Sequence, residues 1–269
     1  DCSKLVTTSM DGMARVWDFN TYSGGEMPYA FTEINDANFS SVSITLHGKI
    51  GLRLEHSEIQ IANLMDGKTI NRLSSIRGEL TNVTMADSGK FVAAFAKDGI
   101  GTLWNTENGR LVSNLGKFTG KSFAEFFEDG KKLVIADAGE LECNCKVWDV
   151  GRGIQIASWT TLPGLTKIAV SPDSRTVAIG LGEGPVLLVD LLTGIRSGSL
   201  PPDRGAVADI VFDKSASRAV VSRVESSDLL MTTHAAVWDL KTCCETIRLQ
   251  EASSKDGVQI TGVGFTPDG

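Results

Sequence analysis

Short apolar runs alternate with turns along this chain, and the alternation keeps time. Stretches such as Lys90-Phe91-Val92-Ala93-Ala94-Phe95, Lys132-Leu133-Val134-Ile135 and Arg218-Ala219-Val220-Val221 have the length and β-branched or aromatic content of strands. Asp-Gly and Pro-Asp turns bound them and supply the positive φ angles that tight hairpins need. A recurring unit, an apolar residue followed by a short turn, is written Ile44-Thr45-Leu46-His47-Gly48, Met85-Ala86-Asp87-Ser88-Gly89 and Phe126-Phe127-Glu128-Asp129-Gly130. It returns as Val170-Ser171-Pro172-Asp173-Ser174, Phe212-Asp213-Lys214-Ser215-Ala216 and Phe265-Thr266-Pro267-Asp268-Gly269. Turn positions 48, 89, 130, 174 and 216 lie 41, 41, 44 and 42 residues apart. That period is the length of a four-stranded propeller blade. No helical pattern of ten or more residues interrupts it, so the pattern predicts closely spaced antiparallel strands throughout.

A second mark keeps the same beat. Trp17-Asp18, Trp104-Asn105, Trp148-Asp149 and Trp238-Asp239 each close a β-prone run, and Ala62-Asn63 and Val189-Asp190 are degraded counterparts. From turn to mark the distance is 15 residues in three repeats (48 to 63, 89 to 104, 174 to 189), counting to the second residue of the pair in the first. Four of the five tryptophans fall on the beat; Trp159 does not.

The run Ser9-Met10-Asp11-Gly12-Met13-Ala14-Arg15-Val16-Trp17-Asp18 resembles the WD-repeat signature, and Ala96-Lys97-Asp98-Gly99-Ile100-Gly101-Thr102-Leu103-Trp104-Asn105 resembles it again. The resemblance covers the whole chain. It implies an all-β fold, a β-propeller of four-stranded antiparallel blades, with six blades' worth of sequence here and seven the commoner family number. It also implies a single domain over residues 1–269, excerpted from a longer chain, in which the half-blade at 1–34 is completed by 258–269 if the ring closes. The family's Gly-His dipeptide is missing: none of His47, His56 and His234 follows a glycine. The buried His–Asp network of the family is therefore expected to be absent.

Composition narrows the partners. A net charge of −7 and no basic run longer than Lys131-Lys132 argue against nucleic acid. No apolar stretch is long enough for a membrane helix, and residues 1–6 carry no signal-peptide pattern. Five cysteines, Cys2, Cys143, Cys145, Cys243 and Cys244, include a C-x-C and an adjacent pair, an awkward arrangement for structural disulfides, so a reducing, cytoplasmic setting is expected. The triplets Asn38-Phe39-Ser40 and Asn82-Val83-Thr84 match the glycosylation pattern only at the level of chance.

Chemistry-bearing motifs are scarce. There is no Gly-x-Ser-x-Gly elbow, Walker loop or His-Glu-x-x-His. Cys143 and Cys145 offer two soft ligands where zinc wants four, so no metal or cofactor is expected. The chain is read as non-catalytic. The turn-to-mark distance stretches to 18 residues before Trp148 and 22 before Trp238, and the extra residues are expected in loops between the second and third strands. The candidate protein-binding residues are therefore Glu140, Glu142, Glu225, Asp228, Leu229, Leu230 and Met231. The resemblance implies a protein-interaction scaffold or adaptor. Two alternatives stay open: the ligand-sensing, autoinhibitory propeller of a NACHT-type signalling ATPase, and a substrate-recruiting subunit of a cullin-type ubiquitin ligase, whose docking motif Trp238-Asp239-Leu240-Lys241 resembles loosely.

Overall fold

In a computed structural model of the chain, every described mark ends a β-strand. The structure describes residues 4–8, 13–18, 30–35, 50–55, 58–63, 68–73, 80–119, 121–127, 130–226, 231–249, 252–254, 263 and 265. Among them there are 23 strands and no helix. The strands form six antiparallel meanders taken in chain order. The first holds β1 (Lys4–Thr8), β2 (Met13–Asp18) and β3 (Ala30–Asn35); the second β4 (Ile50–Glu55), β5 (Glu58–Asn63) and β6 (Thr69–Leu73). Three four-stranded sheets follow: β7 (Leu80–Met85) to β10 (Arg110–Lys117) through β8 (Phe91–Ala96) and β9 (Ile100–Asn105); β11 (Lys121–Phe127) to β14 (Ile154–Thr161) through β12 (Lys132–Ala138) and β13 (Cys143–Asp149); and β15 (Leu165–Val170) to β18 (Arg196–Leu200) through β16 (Thr176–Leu181) and β17 (Val186–Asp190). The last sheet runs β19 (Ala206–Phe212), β20 (Arg218–Ser226), β21 (Met231–Asp239) and β22 (Cys244–Arg248), with β23 (Ala252–Ser254) pairing β21 beyond the end of β22. The chain is thus all-β and built of propeller-type blades.

Burial follows strand position. Second and third strands are almost wholly buried, as in β12 and β17, whereas fourth strands such as β14 and β22 are mostly exposed. A meander hydrophobic on both faces at its centre has to be covered by its neighbours. The chain forms two compact units, Asp1–Phe118 with Val150–Ile154, and Thr119–Asp149 with Gln155–Gly269. In the first, Ile59, Ile61 and Leu73 pack against Val83, Met85, Val92, Ala94 and Trp104 of the next sheet. In the second, Val134, Ala136, Cys145 and Val147 meet Ile168, Val177, Ile179 and Val189, and Ala178, Leu188 and Leu200 meet Ile210, Val221, Ala236 and Trp238. Its first strands lie side by side, β11 next to β15 and β15 next to β19. Val263 and Phe265 pack on Val211, Val220 and Val237 of the last sheet.

The beat in the sequence has a backbone cause. The turn positions Gly89, Gly130, Ser174 and Ala216 all have positive φ, between 56° and 83°. Each donates its N–H three residues back, to Ala86, Phe127, Ser171 and Asp213. In three of the sheets the second residue after the start of the mark then bonds to the residue following the turn: Thr106 N–H to Lys90 O, Leu191 to Arg175 and Leu240 to Ser217, each at 2.9 Å. This bond ties turn to mark. The Asp or Asn of the mark caps the turn into the fourth strand. Asn105 Oδ1 accepts from Glu107 and Asn108, Asp190 Oδ1 from Leu192 and Thr193, and Asp239 Oδ1 from Thr242. That turn ends on a second left-handed residue, Gly109, Gly153, Gly194 or Cys243. At each of these the chain leans on the last strand of the preceding sheet, near Asn71, Val112, Trp159 and Gly198 respectively. At Gly194 an added Cβ would lie 2.5 Å from Trp159. The off-beat Trp159 is thereby explained: it caps the neighbouring turn and donates Nε1–H to Leu191 O.

Candidate functional site

In an antiparallel meander the 1–2 and 3–4 turns fall at one end of each sheet, and the 2–3 hairpins and 4–1 connections at the other. The first end is uniform in the four sheets from β7 to β22, as described above. The second end varies, and the candidate residues lie there.

The 18-residue spacing places Glu140, Leu141 and Glu142 in the hairpin between β12 and β13, all exposed, with Leu141 at 90 %. In the 22-residue repeat the extra residues lengthen strands more than the loop. β20 and β21 are nine residues each, against six in β8 and β9, and pair out to Glu225↔Thr232 and Ser226↔Met231. Glu225 and Met231 are therefore strand residues and not loop residues. The physical reason has two parts: Val224, Thr232 and Thr233 are β-formers, and β23, arriving from residues 252–254, pairs Met231–Thr233, so the extension of β21 is hydrogen-bonded on both edges. Three further residues carry this hairpin about 10 Å beyond its counterpart. Asp228, Leu229 and Leu230 lie outside the described residues. Glu140 and Glu142 stand on one sheet and Glu225 on another, two places further along the chain.

Sequence reasoning missed the cluster beside Glu225. Residues 202–205, connecting β18 to β19, run between the 2–3 hairpins of the fifth and sixth sheets and line an open cleft of about 420 Å³ with Glu183 and Glu225. Arg223, on β20 and only 4 % exposed, organises its wall. The guanidinium donates to Gly184 O at 2.9 Å, Gly205 O at 3.0 Å and Asp203 O at 3.4 Å, fastening two connections to one strand. Burial pulls the Arg223 pKa down, while the Asp203 carboxylate pulls it up. Gly205, at φ +80°, lets the connection close on β20, since a Cβ there would sit 2.7 Å from the Val224 carbonyl.

Asp203 also takes a 2.9 Å ion pair from Arg248, which is held in turn by Glu245. Burial opposes its ionisation, but the Arg204 N–H and Arg248 hold the carboxyl below its ordinary range. Nε2 of His234, buried on β21, lies 3.4 Å from the same carboxylate without hydrogen-bond alignment. A buried histidine thus does face an aspartate, although no Gly-His dipeptide supplies it. The signal available in sequence was a lone Arg223 inside an apolar strand.

The cysteines take packing roles. Cys143 and Cys145 share one face of β13 within the core. A hydrogen bond from the Cys145 thiol draws the Cys143 pKa down, and the same bond with burial drives that of Cys145 up. Cys243 occupies the left-handed turn position at the uniform end, against Gly198. All four described cysteines are free. No helix among the described residues is long and apolar enough to cross a membrane. Neither the models of known protein families nor the curated proteins include a match to this chain.

Proposed function

We propose that the chain is a WD-repeat propeller module whose 2–3 and 4–1 end docks other proteins, and that it performs no catalysis itself. The observation that carries this reading is the contrast between the two ends of the sheets. One repeats the same left-handed turns and the same backbone bonds. The other differs from sheet to sheet, presenting an exposed Leu141 between two glutamates, a projecting hairpin with strands of nine residues each, and a cleft. Connections that vary on a constant framework are where binding residues accumulate. Four free thiols favour a reducing, cytoplasmic setting for this activity.

The test is a pull-down from cell extract with the wild type and a variant carrying Leu229→Ser, Leu230→Ser and Met231→Ser, with melting curves for both. The reading expects fewer captured proteins and a melting temperature within a few degrees of wild type. An unchanged set of captured proteins removes the long hairpin from the binding surface.

A further inference from the structure

The last strand of an open sheet has an unpaired edge, and such an edge is a template for another strand unless charge, proline or brevity blunts it. Five of the six last strands are blunted. β3 carries Glu33, β6 Arg72, β10 Arg110 and Lys117, β18 Arg196, and β22 Glu245 and Arg248; β6, β18 and β22 are also only five residues long. β14 is the exception. Its eight residues, Ile154–Thr161, hold no charge, no proline and no glycine, and among the described residues it pairs β13 alone. Ile154, Ile156, Ser158 and Thr160 are all exposed, while Ala157 and Trp159 pack on the core.

We propose that β14 pairs with β14 of a second copy of this chain, joining two four-stranded sheets into one across a twofold axis. The strand is complementary to itself. Set antiparallel to its copy about an axis at Ser158, it places Ile156 opposite Thr160, Ala157 opposite Trp159 and Gln155 opposite Thr161, each pair occurring twice. β-Branched residues meet, a small side chain meets the indole, an amide meets a hydroxyl, and Ser158 meets itself. One step beyond, exposed Ile154 falls opposite exposed Leu162. A foreign strand can match charges on an edge with opposite charges of its own. A self-pairing strand lacks that freedom, because a charge on the axis meets its like, and the uncharged β14 satisfies this condition. The proposal concerns an outer edge and does not rest on the docking reading above.

The experiment is sedimentation equilibrium on the full chain, with a reductant present to keep the thiols free. The wild type should rise with concentration to twice the 28.7 kDa of one chain. Ser158→Lys, at an exposed position, sets like charges against each other on the axis and should weaken the dimer at least tenfold, with the melting temperature of the dilute chain unchanged. Mixing Ser158→Lys with Ser158→Glu should restore the dimer as a heterodimer, which damage to the fold of either chain would not do. A wild type that stays monomeric up to its solubility limit, a Ser158→Lys dimer as tight as wild type, or no rescue in the mixture overturns the proposal. A monomeric wild type whose Ser158→Lys variant loses captured proteins in the pull-down above would also overturn it, and would give the edge to a foreign strand.

Discussion

At the scale of single residues, the repeat is a beat of left-handed backbone positions, and side chains at those positions have calculable costs. Ala216 occupies φ +56° where two other sheets have glycine. An L residue there costs about 1–2 kcal/mol, of which the flexibility of glycine in the unfolded chain takes back part. Ala216→Gly should therefore stabilise the chain by about 0.5–1 kcal/mol, read from the denaturant midpoint. Gly194→Ala should act in the opposite sense and more strongly, by about 2–4 kcal/mol, since it combines φ +71° with a 2.5 Å approach to Trp159. A Gly194→Ala variant as stable as wild type would show that this turn does not lean on the preceding sheet.

Asp213 sets a pH dependence at the same scale. Burial raises its pKa, but the N–H groups of Arg218 and Ser217 and the hydroxyls of Ser215 and Ser217 overcome it and bring the carboxyl from 3.8 to about 2. A folded pKa below the unfolded one means that the unfolded chain binds the proton first. The stabilisation is complete above about pH 4 and is lost as pH falls towards 2. Asp213→Asn should be less stable at pH 7, and the gap to wild type should narrow by pH 2.5. A gap independent of pH would mean that the charge of Asp213 is irrelevant to the turn.

At the scale of elements, the marks and the clamp carry different loads. Trp104 is 3 % exposed and packs on Ile59, Ile61 and Leu73 of the preceding sheet, whereas Trp159 rides on an outer strand. Trp104→Ala should cost about 3–5 kcal/mol and Trp159→Ala clearly less, measured by chemical denaturation. Arg223→Met would leave the carbonyls of Gly184 and Gly205 without their donor. It should cost about 2 kcal/mol and speed amide exchange around 183–184 and 204–205, with Arg223→Lys falling in between. Exchange unchanged at those amides would mean that the cleft wall holds itself.

The strands, their order and the marks were legible in the sequence because they rest on local chemistry: a left-handed turn residue, an apolar run and an Asp or Asn cap. All six marks fall at the ends of strands, including the degraded Ala62-Asn63 and Val189-Asp190. What was not legible depended on long-range pairing. Glu225 and Met231 belong to strands because β23, arriving from residues 252–254, completes the edge of the long hairpin. Arg223 is a lone charge in an apolar run, and its three carbonyl partners lie between 18 and 39 residues away in sequence.

At the scale of the whole chain, uniform ends and varied ends divide the work. Within each unit, turns that repeat the same bonds lean on the neighbouring sheet, and the connections released from that duty carry the differences. The same division gives the most direct test of the account. A photo-crosslinking residue is placed in turn at Leu141, 90 % exposed at the varied end, and at Ile195, 68 % exposed at the uniform end, and each chain is irradiated in cell extract. The account predicts discrete protein adducts from position 141 and none above background from position 195. Adducts only from 195, or equally from both, would contradict it.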